Sequence, residues 1–188
     1  ALPGVSLRVH LIDEAVMKVP VEKIARAARK PGRRVLACLA GVQTNQFVRA
    51  SDIALELRAA GVPVLIGGFH VSGMLAMFGE PGPEIRRLMD AGVSVVAGEV
   101  ESHWEGLLRD ACEGRLKPLY NFLGELPDIS EAPTPLVDRR YLRRFAFPNY
   151  GTIDTSRGCP FQCSFCTIIN VQGRKTRHRS PECVEQAI

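Results

Sequence analysis

The sequence predicts an α/β protein built on a doubly wound parallel sheet, and three features carry that reading. Short apolar runs alternate with amphipathic stretches over roughly the first hundred residues. Several of the amphipathic stretches close on a glycine. The joining segments are short. Strands alternating with helices through short loops lie parallel and are covered on both faces, with ligands expected at the loops after the strands' carboxyl ends.

The elements follow in order. Residues 7–12, LRVHLI, alternate apolar and polar side chains and read as a strand; 21–29 read as a short helix. Residues 34–40 form an apolar run around Cys38, expected as a buried strand with the thiol acting as a small hydrophobe. Over 47–60, Ile53, Ala54, Leu55 and Leu57 interleave with Arg49, Asp52, Glu56 and Arg58, which gives an amphipathic helix capped by Gly61. A strand at 62–66 runs into Gly67 and Gly68, and a stretch punctuated by glycine and proline follows. Helix 84–91, strand 93–97 and helix 102–112 complete the alternation. Trp104, the only tryptophan, is expected in the core, and His10 and His103 in structural roles.

The periodicity fails from about residue 117. Pro118, Pro127, Pro133, Pro135 and Pro148 mark an extended connector, within which 138–144 reads as a basic helical turn facing solvent. Residues 152–155 read as a new strand. The chain thus divides into a sheet domain over 1–117, a connector over 118–150 and a further segment over 151–188.

Composition excludes several classes. With 46% hydrophobic and 23% charged residues and a net charge of +4, the chain is globular and has no electrostatic demand for nucleic acid. The run Arg174-Lys175-Thr176-Arg177-His178-Arg179 lacks interleaved aromatics and reads as a solvated loop. No apolar stretch approaches the roughly 20 residues of a membrane span. Six cysteines with no leader-like start indicate a reducing, cytoplasmic setting rather than a disulfide framework.

Half of those cysteines fall in one motif, SRGCPFQCSFC, where Cys159, Cys163 and Cys166 have Cys-x3-Cys-x2-Cys spacing. Structural zinc takes four ligands, so a zinc site here needs Cys183 or His178 as the fourth, at a spacing unlike paired Cys-x2-Cys repeats. Three thiolates on a four-iron cluster instead leave one iron open for chemistry.

The three-cysteine motif, with Phe165 just before its last cysteine, resembles that of the radical S-adenosylmethionine enzymes. The strand read at 151–155 and the lead-in SRGCP also match that family, and the tail Ile169-Asn170-Val171-Gln172-Gly173-Arg174 resembles the segment after the cluster in its cobalamin-dependent branch. The resemblance implies a 4Fe-4S cluster on Cys159, Cys163 and Cys166, with S-adenosylmethionine chelated at the open iron and its adenine beside Phe165. It also implies reductive cleavage to a 5′-deoxyadenosyl radical and an electron donor such as flavodoxin or ferredoxin.

The loops Gly67-Gly68-Phe69-His70 and Gly98-Glu99 resemble those of the same branch's Rossmann-like cobalamin-binding domain, and Thr44 matches the loop that approaches the corrin edge. The resemblance therefore assigns Thr44, Gly67, Gly68, Phe69, His70, Gly98 and Glu99 to cobalamin. The chain lacks the Asp-x-His-x-x-Gly motif that supplies a histidine to cobalt elsewhere. A histidine after Gly-Gly is more often a loop hydrogen bonder than a ligand, so His70 carries no axial assignment. The resemblance further implies that the family's first strand is missing, that 151–188 open a radical (β/α) barrel, and that the chain is an N-terminal piece of a larger enzyme. The implied reaction is methyl transfer to an unactivated carbon of a small-molecule substrate. Radical cyclisation or rearrangement of a tetrapyrrole or lipid is the alternative within the class, and a non-catalytic cobalamin- or metal-binding module the alternative outside it.

Overall fold

The computed structural model describes residues 4–14, 17–132 and 154–186. Its centre is a four-stranded, wholly parallel sheet of β1 (Ala37–Leu39), β2 (Val64–Gly67), β3 (Ser94–Gly98) and β4 (Leu119–Phe122), in spatial order β1-β2-β3-β4. The register sets Cys38 beside Leu65, Ile66 beside Val95, and Val96 beside Tyr120.

Successive side chains on a strand point to opposite faces, and the sheet is covered accordingly. Val64, Ile66, Val95 and Ala97 pack with the helices α1 (Val21–Ala28), α2 (Phe47–Ala59), α3 (Phe69–Phe78) and α4 (Pro83–Asp90). Leu65, Val96 and Tyr120 face the other way, onto Leu107 of α5 (Trp104–Glu113). Each fully buried aliphatic side chain in these layers contributes about 1.5–3 kcal/mol. Helices thus flank both faces, as Rossmann-like layering requires. The strand order runs in sequence, without a reversal among the described strands.

Local chemistry explains the boundaries. Helix α2 buries Phe47, Ala50, Ile53, Ala54 and Leu57, a three-and-four spacing that gives one apolar stripe. Helix α4 starts with Pro83 in its first turn, where the missing N–H costs nothing. Helices α3 and α5 end on Gly79 and Gly114 in the left-handed conformation.

Several expectations need correction. Residues 7–12 form no strand. They pair with no neighbour among the described residues and leave Leu7, Val9 and Leu11 exposed, and a strand without a ladder has nothing to hold it. Cys38 is exposed: it lies on the edge strand β1, in register with Leu65 on the α5 side of the sheet, where no strand flanks it on its outer edge among the described residues. Trp104 is 39% exposed at the first turn of α5 rather than in the core. Helix α3 was hidden in the punctuated stretch because it is apolar nearly all round, which erases helical periodicity. The segment read as connector begins with β4, whose Tyr120 hydroxyl donates to Asp110 at 2.7 Å. Asp154 and Thr155 carry no strand; pairing starts one residue later. The basic turn at 138–144 and the prolines from Pro133 to Pro148 lie outside the described residues.

After the sheet come β5 (Ser156–Arg157), α6 (Ile168–Val171), β6 (Arg177–His178) and α7 (Pro181–Glu185). Strands β5 and β6 pair antiparallel, Ser156 with His178 and Arg157 with Arg177. Among the described residues no helix is long and apolar enough to cross a membrane.

Candidate functional site: a cysteine loop on the rim of the sheet

The loops after β1, β2 and β3 interlock. Gly68 has φ +144°, and a Cβ there would run into the backbone of Gly41 and Val42, with the Val42 carbonyl oxygen 2.7 Å away. Two hydrogen bonds join the same loops: Val42 N–H to Gly67 O at 3.1 Å and His70 N–H to Val42 O at 3.1 Å. Gly98 has φ +90°, and a Cβ there would meet the Phe122 carbonyl carbon at 2.6 Å; its N–H donates to the buried Ser72 Oγ at 3.0 Å. A Cβ on Gly67 would meet the Val96 carbonyl oxygen at 2.8 Å. These glycines are therefore required by the chain's own close packing.

His70 stacks on Phe47 with ring centroids 3.9 Å apart. Its Nε2 is buried without a hydrogen bond, 3.7 Å from a Glu84 carboxylate oxygen. Burial lowers its pKa below the ordinary value, against the opposing pull of Glu84. Thr44 is exposed on a short 3-10 turn beside these loops, and Phe69 is half-buried at the start of α3.

The cysteine-bearing segment docks onto this rim at two places. At the first, the Arg157 Nη1 donates to Glu99 Oε2 at 2.8 Å and to Glu101 Oε1 at 2.6 Å, while its Nε donates to Asp154 Oδ2 at 2.7 Å. Arg177 binds both Glu99 oxygens and also donates to the carbonyls of Pro127 at 2.7 Å and Gln172 at 3.1 Å. Burial works against the charge on Arg157, but its bonds to Asp154, Glu99 and Glu101 outweigh that and raise its pKa. Burial likewise pushes Asp154 up, and Arg157 and Arg179 more than reverse it, so its carboxyl titrates below the ordinary range.

At the second place, α6 lies along α3. Thr167 covers Gly73, where a Cβ would sit 3.8 Å from Thr167 Cγ2, and Asn170 Nδ2 donates to Met77 Sδ at 3.2 Å. The two helices therefore advance in the same direction. Thr167, the residue after Cys166, meets α3 at Gly73, nearer the helix start than Met77 is. Both docking points put the loop over the edge where open α/β sheets hold ligands.

Within the loop, Gly158 has φ +88°, and a Cβ there would run into the Lys175 carbonyl. Cys159 N–H donates to Gly173 O at 3.1 Å, and Cys166 N–H to Cys163 O at 3.2 Å. Cys163 is exposed, and Cys159 and Cys166 are partly so. Among the described residues no group of three or more histidine, cysteine or acidic side chains stands ready around one metal ion. The donor chemistry nevertheless fits an iron–sulfur cluster. Three free thiols sit on one loop, the donor type that iron–sulfur clusters take. Phe165 is 89% exposed, which leaves its ring face open to a planar group.

For a corrinoid the fit is poor. Gly67, Gly68 and Gly98 are explained by backbone packing, both Glu99 oxygens are taken by arginines, and His70 faces Glu84. Thr44 alone of the assigned set is fully at the surface.

Sequence reasoning missed the arginines. In the run read as a solvated loop, Arg174, Lys175 and His178 are exposed, whereas Arg177 and Arg179 turn inward. Arg179 binds the Asp154 carbonyl at 2.8 Å and the Ala132 carbonyl at 2.7 Å, and is 6% exposed. The two-residue alternation of a strand was present inside the charged run.

Known proteins give a partial likeness. The chain is 32% identical over 151 residues to the bacteriochlorophyllide d C-8(2)-methyltransferase of Chlorobaculum tepidum, covering 78% of this chain and 31% of that protein. It is 29% identical over 149 residues to the same organism's bacteriochlorophyllide d C-12(1)-methyltransferase, covering 76% of this chain and 29% of that protein. A 57-residue stretch, 30% of this chain and 10% of the relative, is 42% identical to an uncharacterised methyltransferase of Synechocystis. No protein-family profile and no solved structure matches. The chain thus spans about a third of its first two relatives, and it is similar over that span to methyltransferases.

Proposed function

We propose that the chain forms part of a radical S-adenosylmethionine methyltransferase that methylates an unactivated carbon, with a tetrapyrrole as the favoured acceptor. The acceptor class rests on the names of the two Chlorobaculum relatives. The observation that carries the chemistry is three thiols on an accessible loop, with the open ring of Phe165 beside the last of them.

Cys159, Cys163 and Cys166 would hold a 4Fe-4S cluster and Phe165 would face the adenine of S-adenosylmethionine. Such a cluster, when bound, supplies one-electron reduction and an open iron for the cosubstrate's amino and carboxylate groups. The chain's own residues orient that site. Gly158 gives the turn into Cys159, the Gly173 carbonyl fixes the Cys159 amide, and Thr167 and Asn170 seat the residues after Cys166 on α3. A flavodoxin or ferredoxin would deliver the electron; the sheet domain, expected over 1–117, reaches through β4 to Phe122, and 151–188 would act as the opening of a barrel. Cobalamin is implied by the resemblance of the rim loops alone, against their poor fit to a corrinoid, and no step is assigned to it.

Anaerobic reconstitution with iron and sulfide tests the proposal. About four irons and as much labile sulfide per chain, lost in Cys159→Ser, Cys163→Ser and Cys166→Ser, is the expected result. One zinc per chain without labile sulfide would refute it. Incubation with hydroxocobalamin and a search for retained corrin absorbance tests the second cofactor separately.

A further inference from the structure

Glu99 follows directly on Gly98, the last residue of β3, and the backbone turn at that glycine leads its side chain into the interior. The carboxylate is 7% exposed, and both its oxygens are bound by guanidinium groups. A charge this buried is tolerated only when paired and hydrogen-bonded. The two guanidiniums come from Arg157 and Arg177, and these residues are directly opposite each other in the β5–β6 pair. Like charges in that position destabilise a hairpin. Glu99 is the carboxylate bound to both, and without it the pairing that closes β5 on β6 would set Arg177 against an Arg157 held only by Asp154 and Glu101. The loop closed by that pairing, residues 158–176, contains all three cysteines of the motif.

We infer that Glu99 is a positioning residue that latches the cysteine loop to the sheet: its carboxylate neutralises the facing Arg157–Arg177 pair and so permits the hairpin that closes the loop. The inference deepens the proposed function, because it makes the metal-binding loop dependent on the folded rim of the sheet. It also replaces a corrinoid contact at Glu99 with a structural partner on this chain. Glu101 assists from the exposed side through Arg157, and Asp154 holds the outer edge through Arg157 and Arg179.

Glu99→Gln keeps the shape of the side chain and removes its charge, so it separates a charge latch from simple packing. Amide hydrogen exchange on the full chain reads the result. The Cys159 and Arg179 amides, which donate to Gly173 and Thr155 across the loop, should exchange about tenfold faster or more in E99Q. The β2 and β3 amides should keep wild-type protection. The double variant E99Q/R177Q removes one of the two facing cations and should regain protection relative to E99Q, which loss of packing would not produce. After reconstitution with ferrous iron and sulfide, iron should leave E99Q for a chelator faster than wild type. Wild-type exchange in E99Q, or a double variant no better than the single, overturns the latch. Should E99Q leave no protected hairpin, the double variant decides, with recovered protection supporting the latch and continued loss contradicting it. A wild-type chain that shows the protection pattern but takes up no iron refutes the metal reading and leaves the latch intact.

Discussion

The sheet and the cysteine-bearing segment are held by different physics. Residues from β1 to β4 enclose a contiguous apolar core in which Ile66, Val71, Ile85, Leu88 and Val95 lose nearly all contact with solvent. Among the described residues 154–186, Val171 is the buried apolar residue and Arg179 the buried cation. What fixes that segment is a set of guanidinium groups bound to Glu99, Asp154 and backbone carbonyls that belong largely to other parts of the chain. A short segment cannot bury enough apolar surface to order itself. Directional, charge-assisted bonds to an existing scaffold offer an alternative. They also leave Cys163 and Phe165 exposed.

The contrast can be broken from either side. The largest effect is expected at Gly68, where both the positive φ and the Val42 backbone exclude a side chain. Gly68→Val should destabilise the sheet by about 3 kcal/mol or more in urea unfolding, by combining overpacking with strained backbone. Ile66→Ala, in the middle of the core, should cost about 2–5 kcal/mol in the same measurement. Arg179→Ala should expose the opposite behaviour. It strips bonds from Asp154 and Ala132, so limited proteolysis should cut within 154–186 while the unfolding midpoint of the sheet stays near wild type.

Acidity sharpens the comparison with a smaller effect. The His70 pKa is depressed from 6.5, so its contribution to stability is present above that value and is lost as pH falls through the lower folded-state value. Asp154 is depressed from 3.8, so its contribution is complete above that value and is lost only in stronger acid. Between pH 7.5 and 5.5, thermal unfolding should therefore show a loss attributable to His70, abolished in His70→Phe. Exchange at the Arg179 amide should not follow that loss.

The same contrast decides what could be read from sequence. The sheet's elements were legible because burial writes a period into the chain: α2, α4, β2 and β3 lie within a residue or two of their expected places. Where burial is two-sided the period vanishes, as in α3. Where a strand lacks a partner, as in 7–12, alternation alone does not make one. The three cysteines stand out by spacing alone, which needs no tertiary information. The latch was not, since Glu99 and its arginines are 58 and 78 positions apart. Glu99 presented itself as a ligand contact and Arg177 as solvated charge, and their true relation exists only after the chain folds.

The central claim is that three cysteines, and no fourth ligand from this chain, hold a cluster with one open iron. Electron paramagnetic resonance of the reduced, reconstituted chain with and without S-adenosylmethionine tests it most directly. The account predicts a four-iron signal that changes on adding the cosubstrate and disappears in Cys163→Ser. A signal indifferent to S-adenosylmethionine, or one that survives loss of Cys163, would contradict it.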